Sequence, residues 1–267
     1  MRTPRLAGLG LGMMATVALA VAGCSANGDN PPSTSASEAP STPASSSAAD
    51  PAAAAALASA TAALGTQSFK ITMTAGPGVK LTGLIDAPDS KGTATLHLTG
   101  PNTDVQVKTL LVVQDLYVQV PGVTKANTWT HVDVSRLPKG ANVGLRPGQI
   151  DPINTQQVLT STTDVQQVDS RGYKGTLDLT KVAGITGIDP STVTTWGAAA
   201  TSVPFTAGLD DQGRLSALTI QLPAVNGQPA QPLDVLYTDY GTTVTADRPA
   251  PSEVVEAPDS LYTSLGG

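Results

Sequence analysis

Between residues 68 and 120, apolar and polar residues alternate with a period of two over one segment after another, and no gap between segments is long enough to hold a helix. Phe69, Ile71 and Met73 form the first stripe; Leu81 and Ile85 follow Val79 in the second; Leu96 and Leu98 follow Ala94 in the third; Val105 and Val107 form the fourth. Leu110 to Val113 and then Leu116 to Val120, with Leu116 and Val118 in phase, continue the pattern. Thr, Lys, Gln and Asp fill the positions between. A period of two marks a strand with one wet face, and connections this short join only antiparallel neighbours. Gly76-Pro77-Gly78 and Pro88-Asp89-Ser90 supply turns. The chain therefore builds a meandering antiparallel sheet that is apolar on one face, and other elements have to cover that face.

Downstream, Trp129 to Val134 reads as another strand, followed by strands at 164–169 and 173–180. A hairpin from Val203 to Leu222 turns at Asp210-Asp211-Gln212-Gly213, and strands are expected at 232–239 and 242–246. Helices are few. Asp50-Pro51 has the form of an N-cap followed by proline at the first helical position, and the alanine-rich run to Leu64 ends at Gly65, a natural residue past a helix end. The same cap-and-proline pair recurs at Asp151-Pro152 ahead of Leu159 and at Asp189-Pro190 ahead of Ala199. The class is α+β. About three short helices over so many strands leave two outcomes open: Val, Leu and Ile fill the core, or incomplete coverage leaves an apolar cavity.

Residues 1–5 carry two arginines, and residues 6–22 carry no charge and are rich in Leu, Met and Val. These are the n-region and h-region of a signal peptide over 1–23. Val21-Ala22-Gly23-Cys24 fits a lipobox, in which the thiol of Cys24 takes a diacylglyceryl group. The apolar stretch is shorter than the ~20 residues a spanning helix requires, whereas diacyl anchoring is stable. Residues 24–49 form a Ser/Pro/Ala-rich tether: from Ser25 to Ala49 there are eight serines, four prolines and no aromatic ring, a composition that cannot offset its ordering entropy. A folded domain is expected over 50–257 and a loose tail over 258–267. The expected location is the outer face of the cytoplasmic membrane.

Without Arg2 and Arg5 the chain carries 13 Lys+Arg against 21 Asp+Glu, a net of −8. No basic cluster exists to bind phosphates, so nucleic acid is not a partner. One cysteine excludes an internal disulfide. His97 sits between Leu96 and Leu98 on the polar face of its strand, and His131 has no Cys or His at ligand spacing, so both read as structural. No Gly-x-Ser-x-Gly elbow and no Walker loop occurs. Asp210-Asp211-x-Gly lacks the other ligands of a calcium loop. Neither catalysis, a metal nor a cofactor is expected.

Several segments, taken in order behind the lipobox, resemble the LppX/LprA/LprF/LprG lipoproteins of mycobacteria and related actinobacteria. They are Ser68-Phe69-Lys70-Ile71-Thr72-Met73, Leu81-Thr82-Gly83, Gly172-Tyr173-Lys174-Gly175-Thr176-Leu177-Asp178-Leu179 and Leu209-Asp210-Asp211-Gln212-Gly213-Arg214-Leu215. Tyr237-Thr238-Asp239-Tyr240-Gly241 with Val244 and Arg248-Pro249-Ala250-Pro251 is similar to that family's closing strands, so the resemblance spans about residues 52–257. It implies an antiparallel U-shaped half-barrel sheet with helices on its concave face, enclosing an apolar cavity, similar to the LolA/LolB lipoprotein carriers. It also implies a ligand, the acyl chains of a lipid or glycolipid, and a role in carrying it toward the outer envelope. A membrane transporter is a further candidate partner. Strand parity then assigns the lining: Phe69, Ile71, Met73, Leu81, Ile85, Leu96, Leu98, Val105, Val107, Leu116, Val118, Phe205, Leu218 and Ile220, with Lys70, Lys80, Thr95, Lys108 and Gln119 facing solvent. The alternative is a structural or interaction lipoprotein with a filled core, accessory to a membrane partner.

Overall fold

The alternating stripes become strands: β1 Ser68–Ala75, β2 Val79–Asp86, β3 Lys91–Gly100, β4 Thr103–Val112, β5 Asp115–Gln119 and β6 Trp129–Val132. The computed structural model describes residues 50–265 except 123, 138–144, 149, 184–187, 189, 226 and 228. The segments read as a signal peptide and a tether, with Cys24 between them, lie outside the described residues. After β6 come β7 Gln166–Gln167, β8 Gly172–Leu177, β9 Val203–Leu209, β10 Leu215–Leu222, β11 Gln231–Thr238 and β12 Val254–Glu256. All twelve belong to one sheet in the order β12-β6-β5-β4-β3-β2-β1-β11-β10-β9-β8-β7. The sheet is open at both edges and antiparallel except where β12 pairs parallel with β6.

Chain order explains that layout. From the central β1 the meander runs outward to β6, returns through a connection containing helix α3 (Thr155–Leu159), and meanders inward from β7 to β11, which closes on β1. Helix α1 (Pro51–Ala60) and helix α2 (Ala63–Thr66) precede β1, α4 (Pro190–Trp196) lies between β8 and β9, and α5 (Asp259–Leu265) ends the chain. One hydrophobic cluster joins Leu57, Leu64, Val158, Val193, Trp196 and Tyr262 of these helices to Phe69, Ile71, Leu111, Phe205 and Val235 of the sheet. The helices therefore cover the face that period two makes apolar. At Gly175, paired with Phe205, an added Cβ would sit 2.8 Å from the Phe205 ring and 3.0 Å from the Asp164 carbonyl oxygen, so only glycine admits this close approach.

Several boundaries differ from the sequence expectation. Asp50 caps as expected, accepting from Ala52 N at 2.9 Å and Ala53 N at 3.3 Å. The alanine run then breaks at Thr61, whose hydroxyl donates to the Ala58 carbonyl and competes with helix propagation. Helix α3 starts at Thr155, four residues after Asp151, because Asn154 takes the left-handed conformation (φ 51°) as its N-cap. The strand expected over 173–180 stops at Leu177: the Asp178 carboxylate accepts from Thr180 N and turns the chain into a short 3-10 helix.

Residues 242–246 form no strand and pair with none among the described residues. Their alternation is real: Val244 and Ala246 are buried and Thr243 and Thr245 exposed. They lie against Leu110 and Tyr117 on the other face of the sheet, with Leu84, Val112, Trp129 and Val254 around them. The segment is a strap over the outer face. The tail is not loose either, since α5 buries Tyr262 to 8% exposure. Among the described residues no helix is long and apolar enough to cross a membrane.

Candidate functional site

Register settles which residues share a face. Ile71 pairs with Gly83, Gly83 with Ala94, Ala94 with Thr109 and Thr109 with Val118. The neighbouring row runs Phe69, Ile85, Gly92, Leu111, Leu116 and Val132. On the other side lie the rows Met73, Leu81, Leu96, Val107 and then Ala75, Val79, Leu98, Val105. Across β1 the same face continues from Met73 to Val235, Leu218 and Ala207, and from Ala75 to Leu233, Ile220 and Phe205. All fourteen residues assigned by parity thus stand on one face, the helix-covered one.

Coverage of that face is graded. Phe69, Ile71, Ile85 and Leu116 are 0% exposed, and Val118, Leu81, Phe205, Leu218 and Ile220 are buried with them. Met73, Leu96, Leu98, Val105 and Val107 are only half-buried, as are Ala75 and Val79. These occupy the two rows nearest the Gly76–Gly78 turn, at one end of β1 to β4. The site is therefore a stripe of aliphatic side chains, sealed under the helices at one end and partly open at the other.

Polar groups also enter this face, and their sequence spacing gave no signal of it. Tyr237, opposite Ile71 and 1% exposed, packs edge-on against Phe69 with ring centroids 5.6 Å apart. Its hydroxyl donates to Asp151 Oδ2 at 3.3 Å and is hydrogen-bonded to the hydroxyl of the fully buried Thr155. Asp151 in turn accepts from Thr155 N at 2.9 Å and Ile153 N at 3.2 Å. Burial pushes the Asp151 carboxyl above its ordinary range, with those hydrogen bonds opposing, and burial likewise pushes the Tyr237 phenol up. The indole N–H of Trp196 is buried in the same apolar cluster and has no hydrogen-bond partner among the described residues. Leu111, Leu233 and Val235 were also missed, although parity extended along their strands would have found them.

The histidines lie elsewhere. His97 is half-buried and 2.7 Å from Asp104. His131 bridges Asp115 (3.4 Å) and Glu256 (3.0 Å), which joins β5, β6 and β12, and its ring lies against Tyr117. Among the described residues no group of His, Cys, Asp and Glu is placed to hold a metal ion. At the Asp210 turn both carboxylate oxygens are engaged: Oδ1 accepts from Gln212 N and Arg214 N at 2.9 Å each, and Oδ2 from Arg214 Nε at 2.7 Å. This aspartate locks a hairpin. Comparison with protein-family models and with curated proteins returned no match.

Proposed function

We propose that this chain is a non-catalytic cell-envelope lipoprotein, anchored through Cys24 at the outer face of the cytoplasmic membrane, that binds the acyl chains of a lipid or glycolipid. In this reading the sheet curves as a U-shaped half-barrel with helices on its concave side, and the ligand lies between them. Transport toward the outer envelope is what the resemblance to the LppX/LprA/LprF/LprG lipoproteins implies, and exchangeable, non-covalent binding is compatible with it.

The observation that carries the reading is the graded coverage. Met73, Leu96, Leu98, Val105 and Val107 continue the buried stripe without being sealed, so apolar surface remains half-wet next to a finished core. Each acyl CH₂ taken out of water there contributes about 0.8 kcal/mol, and nothing polar is required for affinity. The unpartnered Trp196 indole gives an ester carbonyl a donor within the same cluster. The test is native mass spectrometry of the non-acylated chain, followed by solvent extraction and lipid analysis. A co-purifying acylated lipid in stoichiometric amount supports the carrier; a ligand-free chain that takes up no added phospholipid contradicts it.

The sealed end supports a second reading. Phe69, Ile71, Ile85 and Leu116 are as fully enclosed as any core residue, which is the pattern of a structural lipoprotein whose core is filled by its own side chains. The same extraction separates the two.

A further inference from the structure

On the face of the sheet opposite the helices lies a concavity lined by polar side chains. Gln106 and Lys108 alternate along β4 and face outward, and Lys108 pairs across to Gln119 on β5. The segment after β5 then folds back beside them, so that Gln106, Lys108 and Gln119 with residues 121, 122 and 124–128 enclose about 370 Å³. That lies near the lower end of the ~300–1,000 Å³ typical of small-ligand sites.

The loop is held in shape by its own hydrogen bonds. The Thr124 hydroxyl accepts from Val120 N at 2.9 Å and donates to the Val120 carbonyl at 3.1 Å, while Thr128 donates to the Lys125 carbonyl at 2.8 Å. Asn127 takes φ 58° and Gly122 φ 80°, the left-handed turns that bring the loop back. Within this frame Gln106, Lys108, Gln119, Lys125 and Asn127 make no side-chain hydrogen bond or ion pair among the described residues. The lining holds two ammonium groups, three carboxamides, no carboxylate and no aromatic ring, in a chain whose net charge is −6.

We propose that this concavity is a binding site for an anionic saccharide, independent of the apolar face. The lysines match a carboxylate or phosphate on the sugar, and each carboxamide offers both donor and acceptor to neighbouring hydroxyls. The lack of an aromatic platform disfavours a nucleobase or other flat ring, which binds by stacking.

The experiment is a titration of the ¹⁵N-labelled full chain in a neutral detergent with glucuronate, with glucose as the uncharged control. Saturable shifts are expected at the amides of Gln106, Lys108, Gln119 and 124–128 with glucuronate and not with glucose. Lys108→Gln or Lys125→Gln should each weaken binding about tenfold, the scale of one charge-assisted hydrogen bond, while Lys70→Gln, on the same face outside the concavity, should leave it unchanged. The proposal is overturned by the absence of saturable shifts at these amides, by equal response to glucose, or by an effect of Lys70→Gln as large as that of Lys108→Gln.

Discussion

The hydroxyl of Tyr262 accepts the backbone N–H of Asp133 at 2.9 Å, tying the last helix to the residue that follows β6. Arg136 reinforces the contact: its guanidinium lies 4.0 Å from the centre of the Tyr262 ring and 2.6 Å from Asp259. Just upstream, β12 adds a parallel strand at the same edge. The C-terminus therefore seals the edge of β6, which would otherwise expose unpaired backbone, and leaves the three-residue β12 as the edge strand.

Removal of that seal has a graded cost. Tyr262→Phe leaves the Asp133 N–H without its acceptor and should cost about 1 kcal/mol. Tyr262→Ala also empties a buried ring site and should cost about 2–4 kcal/mol. Chemical denaturation measures both, and equal stability of Tyr262→Ala and the parent would show that α5 does not dock.

At the hairpin turn the paired aspartates should behave very differently. Burial would raise the Asp210 carboxyl, but hydrogen bonds from Arg214 and from backbone N–H groups outweigh it and hold the group below the usual range. Arg214 also lies over the Tyr240 ring at 4.5 Å, and Tyr240 donates to the Leu215 carbonyl. Asp210→Ala breaks this cluster and should cost about 2 kcal/mol; Asp211→Ala, exposed in the turn, should stay within about 0.5 kcal/mol. Thermal unfolding of the two variants decides it, and a larger loss for Asp211→Ala would contradict the assignment.

Half-buried Asp151 supplies a pH dependence of definite sign. Its carboxyl is raised above the ordinary value of 3.8, so the folded chain holds the proton more tightly than the unfolded chain does. Folding stability from this group is thus largest below that value and declines as pH rises through the folded value. Asp151→Asn keeps an acceptor for Thr155 N and removes the ionisation. The stability difference between variant and parent should shift in favour of the variant as pH is raised above about 4. The depressed carboxyls of Asp169 and Asp210 act with the opposite sign but are common to both proteins. Urea unfolding across pH is the measurement, and a pH-independent difference would contradict it.

The sheet was legible because period two and short turns together leave little freedom: once Ile71 points inward, the two-residue period and close turns place Leu81, Leu96 and Val107 on the same side. The strap was half legible. Alternation at Val244 and Ala246 reports burial on one side, not hydrogen bonding to a neighbour. The Asp151–Tyr237 contact joins residues 86 apart and leaves no local pattern. Helix α5 spans seven residues, too few to display a 3.6-residue period. How far the face is covered depends on which loops fold over it, which no stripe encodes.

Membrane attachment is expected to rest on one atom. Cys24→Ala removes the only thiol in the chain and with it the route to diacylation. The variant should move from the detergent phase to the aqueous phase on detergent phase partitioning; its retention in detergent would refute the anchor.

The most direct test of acyl-chain binding is Val107→Trp, at a half-buried position in the row Met73, Leu81, Leu96, Val107. In a face that houses an acyl chain the indole takes the ligand's place: thermal stability stays within about 1 kcal/mol of the parent and bound lipid is lost. In a filled core the same enlargement is overpacking and costs about 1–3 kcal/mol. Thermal unfolding is recorded beside lipid extraction for variant and parent. Preserved stability with lipid in the parent and none in the variant is the predicted result; marked destabilisation with no lipid in either protein would contradict it.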